Sequence, residues 1–473
     1  MKSTLGFVVL IPFLFSSTLA ADNPLIADRY ILDVSFVPEL ARMEGRTTIH
    51  FACTGNLPKT TTCYLHGELA VDSAVIGGKK IPCDQKPVFY EYDYSLIATE
   101  AALQLEGALC DSTLTIFYSG YFHPSNARSP SDYMRIDHDG VFLRSYGYSL
   151  WFPVFVPSGS NDPIVTLSKV TVRTPSEFRS VFVGKLTGEY EKDGQRVTEW
   201  TAENIPLMDA QCTAQRYVIA SDGNCFVYQY ADSSSKAAGA QILRFTAAMN
   251  TLYTKRYRKG TTGTEFYVIE MPPYGDISSG NVTGLQASTW KLFQENTDAK
   301  RALGHELVHP YTAVPVDRSD PLYCLAMEGF PSYFHLPILA EVLGDDVYDR
   351  FIAFMEKLYL EKRQTGKTRW GATVPPEKPL LEIKADELST YKDEFVLDDR
   401  ALLFLNYLYR SMGRKRFFSF TSDLFNKKKL TADGFRQTVL KYLPAAANDV
   451  NIWISTTEYP ERLHLDHLAR RKK

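Results

Sequence analysis

From Asp28 to about Cys225 the apolar residues fall in short β-branched and aromatic runs separated by turn signals. Tyr30 to Phe36, Arg46 to Phe51, Ser112 to Tyr118, Val165 to Val172 and Arg216 to Ala220 are such runs, and together they predict an all-β region, a sandwich or saddle. No internal repeat or low-complexity linker interrupts it. Around Cys225 the period lengthens. Ile242, Phe245, Met249 and Leu252 recur at helical spacing between Lys236 and Tyr257, which predicts an amphipathic helix packed on a core. Glu265 to Met271 reads as a strand. A second helix begins among Asn296, Thr297 and Asp298, which supply an N-cap, and carries Ala299, Ala302, Leu303 and Leu307. Ala401, Leu405, Leu408 and Met412 mark a third by their core spacing. The expected fold class is therefore multidomain α+β, with an all-β N-terminal domain over residues 21–225 and a mostly helical domain over 226–473.

Residues 1–20 precede this pattern. Lys2, an apolar run from Leu5 to Phe15, and Thr18-Leu19-Ala20 ahead of Ala21 read as a secretory signal peptide. The run is too short to span a bilayer, and no later stretch is long and apolar enough to do so. The mature chain is expected to be soluble and exported, to a periplasm, a secretory lumen or the extracellular space. Its roughly 450 residues are too many for one core. With 45% hydrophobic residues and a formal net charge of -3, the composition is that of an ordinary globular protein with no nucleic-acid partner. The closing Arg470-Arg471-Lys472-Lys473 reads as a frayed, solvated end.

Export changes the reading of the seven cysteines. Cys53 and Cys63, Cys83 and Cys110, and Cys212 and Cys225 form three sequence-local pairs that an oxidising compartment would allow as disulfides, with connectivity left open by the sequence. Cys324 is left over and reads as a buried apolar thiol.

The chemistry concentrates in Gly304-His305-Glu306-Leu307-Val308-His309. Positions four apart on a helix share a face, so His305 and His309 can each offer an imidazole nitrogen to one metal ion. Glu306 points about a third of a turn away, where it can sit beside a metal-bound water without being a ligand. The alternative is an amphipathic helix with two ordinary histidines. Against it stands Glu328, which follows His309 after 18 intervening residues in the run Glu-Gly-Phe-Pro-Ser-Tyr-Phe. A catalytic zinc takes three protein ligands and keeps one position open, and His305, His309 and Glu328 supply those three.

At these residues the sequence resembles the gluzincin metallopeptidases of the aminopeptidase N and leukotriene hydrolase type. That family places its third ligand at the same spacing, inside a similar Asn-Glu-Gly-Phe sequence. Thr115-Ile116-Phe117-Tyr118-Ser119-Gly120 is similar to its Ile-x-Tyr-x-Gly strand, and Trp151-Phe152-Pro153 to its Phe-Pro turn. The family continues that turn with Asp-Glu-Pro, where this chain has Val156-Pro157-Ser158. The resemblance implies a saddle-shaped β domain followed by a thermolysin-like catalytic domain, without the long C-terminal helical domain of the large aminopeptidases. It implies one zinc ion and a peptide or protein substrate.

Three departures from the family pattern matter. Its Gly-x-Met-Glu-Asn segment, whose glutamate grips a peptide's free amine, corresponds here to Ser278-Ser279-Gly280-Asn281-Val282. Aligned without gaps on the zinc helix, Asn281 replaces that glutamate, and an amide lacks the charge that makes the contact strong. Asn281-Val282-Thr283 is also a glycosylation sequon, read as unused because a glycan would crowd the cleft. The family's oxyanion-holding tyrosine falls at Val396, leaving Tyr391 as the nearby alternative. Pro310, directly after His309, should end or kink the zinc helix.

The function expected from this sequence is an exported zinc metallopeptidase with atypical recognition of the substrate N-terminus, using Glu306 as general base. Two alternatives stay open: a zinc hydrolase of a non-peptide substrate, and a catalytically inactive binding protein of the same fold.

Overall fold

The computed structural model describes residues 26–459, apart from 53–56, 92–94, 106–111, 123–133, 144–149, 156–163, 207–209, 234, 258–263, 273–275, 369–370 and 392–395. The signal segment, Val156-Pro157-Ser158 and the basic C-terminal end lie outside the described residues.

The N-terminal part is β-rich. In strand Ile26–Val37 the residues Tyr30, Leu32, Val34 and Phe36 are buried and alternate with more exposed ones, the period of a strand with one face on a core. This strand runs parallel to Ile164–Pro175 and antiparallel to Arg42–Ala52, at the centre of an eight-stranded sheet. A four-stranded sheet and a three-stranded sheet accompany it, and Trp151 and Trp200 are fully buried in the core of this part.

A five-stranded sheet follows, in the order Tyr217–Asp222, Cys225–Tyr230, Phe266–Met271, Val282–Gln286, Ile277–Ser279. Its three inner strands are parallel and both edges antiparallel. Strand Phe266–Met271 is buried at every residue, as a strand covered on both faces must be. Phe266 and Val268 join the core of the helical part, whereas Tyr267, Ile269 and Met271 join the core of the β part. The sheet is one wall shared by two cores, and it spans the division expected at residue 225.

The rest is helical: α1 (Lys236–Arg256), α2 (Ala287–Leu292), α3 (Thr297–Thr312), α4 (Phe330–Leu343), α5 (Asp345–Thr365), α6 (Leu388–Tyr391), α7 (Ala401–Met412), α8 (Arg414–Phe425), α9 (Ala432–Tyr442) and α10 (Ala447–Ser455). Helix α1 buries Ile242, Phe245 and Met249 as their spacing predicts. Two tyrosines bolt it to the helices that matter below. The Tyr253 hydroxyl donates to the Gly304 carbonyl of α3 at 2.8 Å, and that of Tyr257 to the Phe334 carbonyl of α4 at 2.6 Å. No described helix is long and apolar enough to cross a membrane.

The disulfide expectation is not met. Cys63, Cys83, Cys212 and Cys225 are all unbridged, and Cys53 and Cys110 lie outside the described residues. For Cys212 and Cys225 the reason is the shared wall: Cys212 belongs to the β core and Cys225 to the helical core, so nearness in sequence does not bring their sulfurs together. Burial pushes the Cys225 thiol up to about 11. Cys324 is buried in the helical core and donates its thiol to the Lys384 carbonyl.

Candidate metal centre

Helix α3 starts as its sequence predicts: the Asn296 side chain accepts from the Asp298 amide at 2.7 Å. Pro310 does not end it. The helix continues to Thr312, where the Ala313 amide reaches the His309 carbonyl at 2.9 Å and the Thr312 hydroxyl lies 3.3 Å from the carbonyls of Val308 and His309. Proline disturbs a helix through its own missing N–H and the carbonyl four residues back. Pro310 withholds only the hydrogen bond that the Glu306 carbonyl would have accepted, and the helix runs on across it, so both histidines keep their helical spacing.

Glu328 is brought to them by a different device. It sits on a π-helical turn, Leu325–Gly329, that runs directly into α4. Such single wide turns insert an extra residue and re-aim a side chain, and they recur at functional sites. Pro331 follows two residues after that wide turn, and the chain stays helical across it. Gly329 is closely packed: a Cβ there would meet the Leu325 side chain at 2.5 Å and the Ala401 Cβ at 3.0 Å.

The resulting geometry is compact. The Nε2 atoms of His305 and His309 lie 3.3 Å apart. Two nitrogens bound to one tetrahedral zinc at about 2.0–2.1 Å are separated by about 3.3–3.4 Å. The nearer Glu328 oxygen is 3.8 Å from His305 Nε2. Glu306 straddles the pair, one carboxylate oxygen 4.0 Å from His305 Nε2 and the other 4.0 Å from His309 Nε2. Potential ligand atoms of His305, Glu306 and His309 all lie within 4.8 Å of one another, whereas among these Glu328 approaches His305 alone, so a set of two imidazoles and the Glu328 carboxylate, which suits zinc, needs Glu328 to turn towards His309. The imidazole side chains keep 15% and 24% of their surface exposed, so the centre is in contact with solvent.

Behind His305 stands His335, a residue that the sequence reading missed. Its position seven residues after Glu328, two turns along one helix face, was the available signal. His335 is fully buried, holds the Pro331 carbonyl at 2.8 Å through Nδ1, and packs its ring edge-on against that of His305 with centroids 5.7 Å apart. Burial, and then the nearby Arg301 guanidinium, push it down to about 3, so the ring is neutral.

Asn281 is not in the cleft. It occupies the turn after edge strand Ile277–Ser279, and its side chain is consumed by backbone: the amide nitrogen donates to the carbonyls of Gly184 at 2.7 Å and Glu265 at 2.6 Å, while Oδ1 accepts from the Gly184 amide at 2.7 Å. The gapless count from the zinc helix overshoots the edge strand into its hairpin turn. The edge strand itself, Ile277-Ser278-Ser279, carries no carboxylate. Asp276 beside it is turned towards α2, accepting from the Gln286 amide and the Thr289 hydroxyl, both at 2.9 Å. Asn281 is a clasp between the β part and the shared wall, so Asn281→Ala will lower stability by about 1–3 kcal/mol, read as a shift of the urea midpoint. Because the side chain faces backbone, the same variant will leave KM for any cleaved substrate within about twofold of wild type.

Tyr391 also has other work. Its hydroxyl donates to the Pro376 carbonyl at 3.0 Å, and the ring lies under the Lys378 ammonium. Val396 is fully buried on a second π-helical turn, Val396–Arg400. The two π turns are joined where Ser332, just inside α4, donates to Asp398 at 2.6 Å.

No family model matches the sequence, and no curated protein matches it. The fold is similar to solved structures. Among them is the M1 zinc metallopeptidase from Deinococcus radiodurans, with a TM-score of 0.62 and 17% identity over 92% of this chain and 94% of that one. A mutant of that enzyme bound to a Tyr-Ser-Ala substrate gives 0.64 at 17% identity, over 92% of this chain and 95% of that one. Native yeast LTA4 hydrolase gives 0.68 at 15% identity, over 94% of this chain and 71% of the yeast chain. At these identities the likeness establishes the fold: a β-rich N-terminal part and a helical part arranged as in the M1 metallopeptidases and LTA4 hydrolase.

Proposed function

We propose that this protein is an exported zinc-dependent hydrolase of peptide bonds that does not select a free N-terminal amine in the way aminopeptidases do. The observation that carries the reading is the His305–His309 imidazole pair, with Glu306 straddling it and Glu328 brought against His305 from a π turn. The solved relatives support it, since those of the same fold are zinc peptidases and LTA4 hydrolase.

His305, His309 and Glu328 would hold one zinc ion, which would supply a Lewis acid for the scissile carbonyl and a water of pKa about 7. The chain's own part is proton transfer. The Glu306 carboxylate takes the proton of the attacking water and delivers it to the leaving amine. His335 packs on the His305 ring and limits its rotation, and the Tyr253 hydroxyl on the Gly304 carbonyl fixes the turn that bears it.

Altered recognition follows from the edge strand. A free ammonium needs a carboxylate for a strong contact, and Ile277–Ser279 offers hydroxyls and backbone only. Digestion of a mixed peptide library by the purified protein, with zinc content measured on the same sample, tests the proposal. Internal cuts, or equal cleavage of peptides with acetylated and free N-termini, are expected. Stepwise removal of N-terminal residues confined to unblocked peptides would overturn the recognition claim, and a zinc-loaded protein inert on every peptide would overturn the peptidase.

A further inference from the structure

Three of the sheet edges carry residues that discourage another strand from pairing there: lysines and glutamates on Lys185–Lys192, lysines on Lys79–Ile81, and Lys86 and Pro87 on Cys83–Glu91. Tyr217–Asp222, an edge of the shared five-stranded sheet, carries neither lysine nor proline, and no bulge interrupts its pairing with Cys225–Tyr230. Its residues from Val218 to Asp222 are exposed, with Val218 at 59% and Ile219 at 39% pointing to opposite faces. Half of its backbone is also unused. The Ala231 amide donates to the Arg216 carbonyl, which makes Val218, Ala220 and Asp222 the residues bonded to Cys225–Tyr230. The N–H and C=O groups of Tyr217, Ile219 and Ser221 therefore turn outward, and among the described residues no backbone group takes them up.

Such an edge accepts an extended strand, and the sequence of this one is complementary to itself. Two copies running antiparallel about Ile219 set Ile219 against Ile219 and Tyr217 against Ser221, so that every outward group gains a partner. The same register sets Val218 against Ala220, and Arg216 against Asp222 at both ends, where opposite charges favour the pairing. Sliding to the next register either way sets Asp222 against Val218 or Arg216 against Ala220. The Asp222 side chain has no ion pair or hydrogen bond among the described residues. Arg216 is half exposed and lies over the Phe178 ring, with Glu177 at 3.7 Å, a loose contact that a second carboxylate can share. From these observations we infer that Tyr217–Asp222 is an interface for a second copy of this chain, related by a two-fold axis at Ile219 that joins the two shared sheets into one. A standard interface buries about 1,600 Å² in total, and one short strand pair buries less, so the association is weak, with a Kd on the order of 10 µM.

The test is analytical ultracentrifugation of the purified full-length protein from about 1 to about 200 µM, a range that brackets the expected Kd. The mass should rise from monomer to dimer across it. Ile219→Lys, at a partly exposed position, sets like charges against each other on the axis and should weaken association at least tenfold. Arg216→Asp and Asp222→Arg, each alone, set like charges against each other at both ends and should do the same. An equimolar mixture of those two variants restores opposite charges at both ends and should associate as wild type does. Because each variant is its own folding control in the mixture, a lost dimer cannot be mistaken for a lost fold. A monomer throughout the range, a dimer indifferent to Ile219→Lys, or a mixture that stays monomeric would overturn the interface. None of these readouts needs zinc or turnover, so failure here leaves the peptidase reading standing, and the reverse.

Discussion

Glu306→Gln protein will keep its zinc and its fold while hydrolysing peptides about 10²–10⁴-fold more slowly than wild type. The amide preserves the shape of a side chain that is 13% exposed and straddles the two imidazoles, but it cannot accept a proton from water. A loss of that size is about 3–5 kcal/mol of transition-state stabilisation, within the range of one general base. Initial rates on a cleaved peptide, taken with zinc content by atomic absorption, decide the matter. Wild-type rates would remove Glu306 from the reaction. Loss of zinc would make Glu306 a ligand, a real contest because its oxygens lie 4.0 Å from both imidazoles while Glu328 comes to 3.8 Å of His305.

Arg400→Leu should destabilise the protein by about 3–5 kcal/mol, the cost of breaking a buried ion pair from one side. Arg400 is completely buried at the end of the second π turn. Its guanidinium donates to Glu377 and the Tyr359 hydroxyl at 3.0 Å, and to the carbonyls of Ile452, Trp453, Thr456 and Glu458 at 2.7–3.1 Å. Leucine would leave those acceptors without their donor. Arg400→Lys should recover little, since an ammonium cannot reach acceptors spread around a planar fork. Urea denaturation at neutral pH measures both variants, and a shift below 1 kcal/mol for Arg400→Leu would refute the assignment.

The pairing of His305 and His309 was legible because its information is local. Four-residue spacing on a helix places His305 and His309 together whatever the rest of the chain does, and the N-cap at Asn296 sets where that helix begins. The change from strand-like to helical periodicity near Cys225 was legible for the same reason. What escaped depends on contacts distant in sequence. Cys212 and Cys225 are close along the chain yet face different cores. Asn281 resembled a recognition residue by counting, but a hairpin turn aims it at Gly184, 97 residues away. Pro310 was expected to end or kink its helix, but packing keeps the chain helical across it to Thr312. His335 lies on the right helix face, and only packing distinguishes it from an ordinary polar position.

The shared sheet bears on how the molecule comes apart. Strand Phe266–Met271 gives alternate side chains to the two cores, so loss of either core strips one face of the other's wall and bares Tyr267, Ile269 and Met271 or Phe266 and Val268. The β and helical parts are consequently expected to unfold together, and a hinge at residue 225 would have to part a sheet whose central strand is buried at every residue.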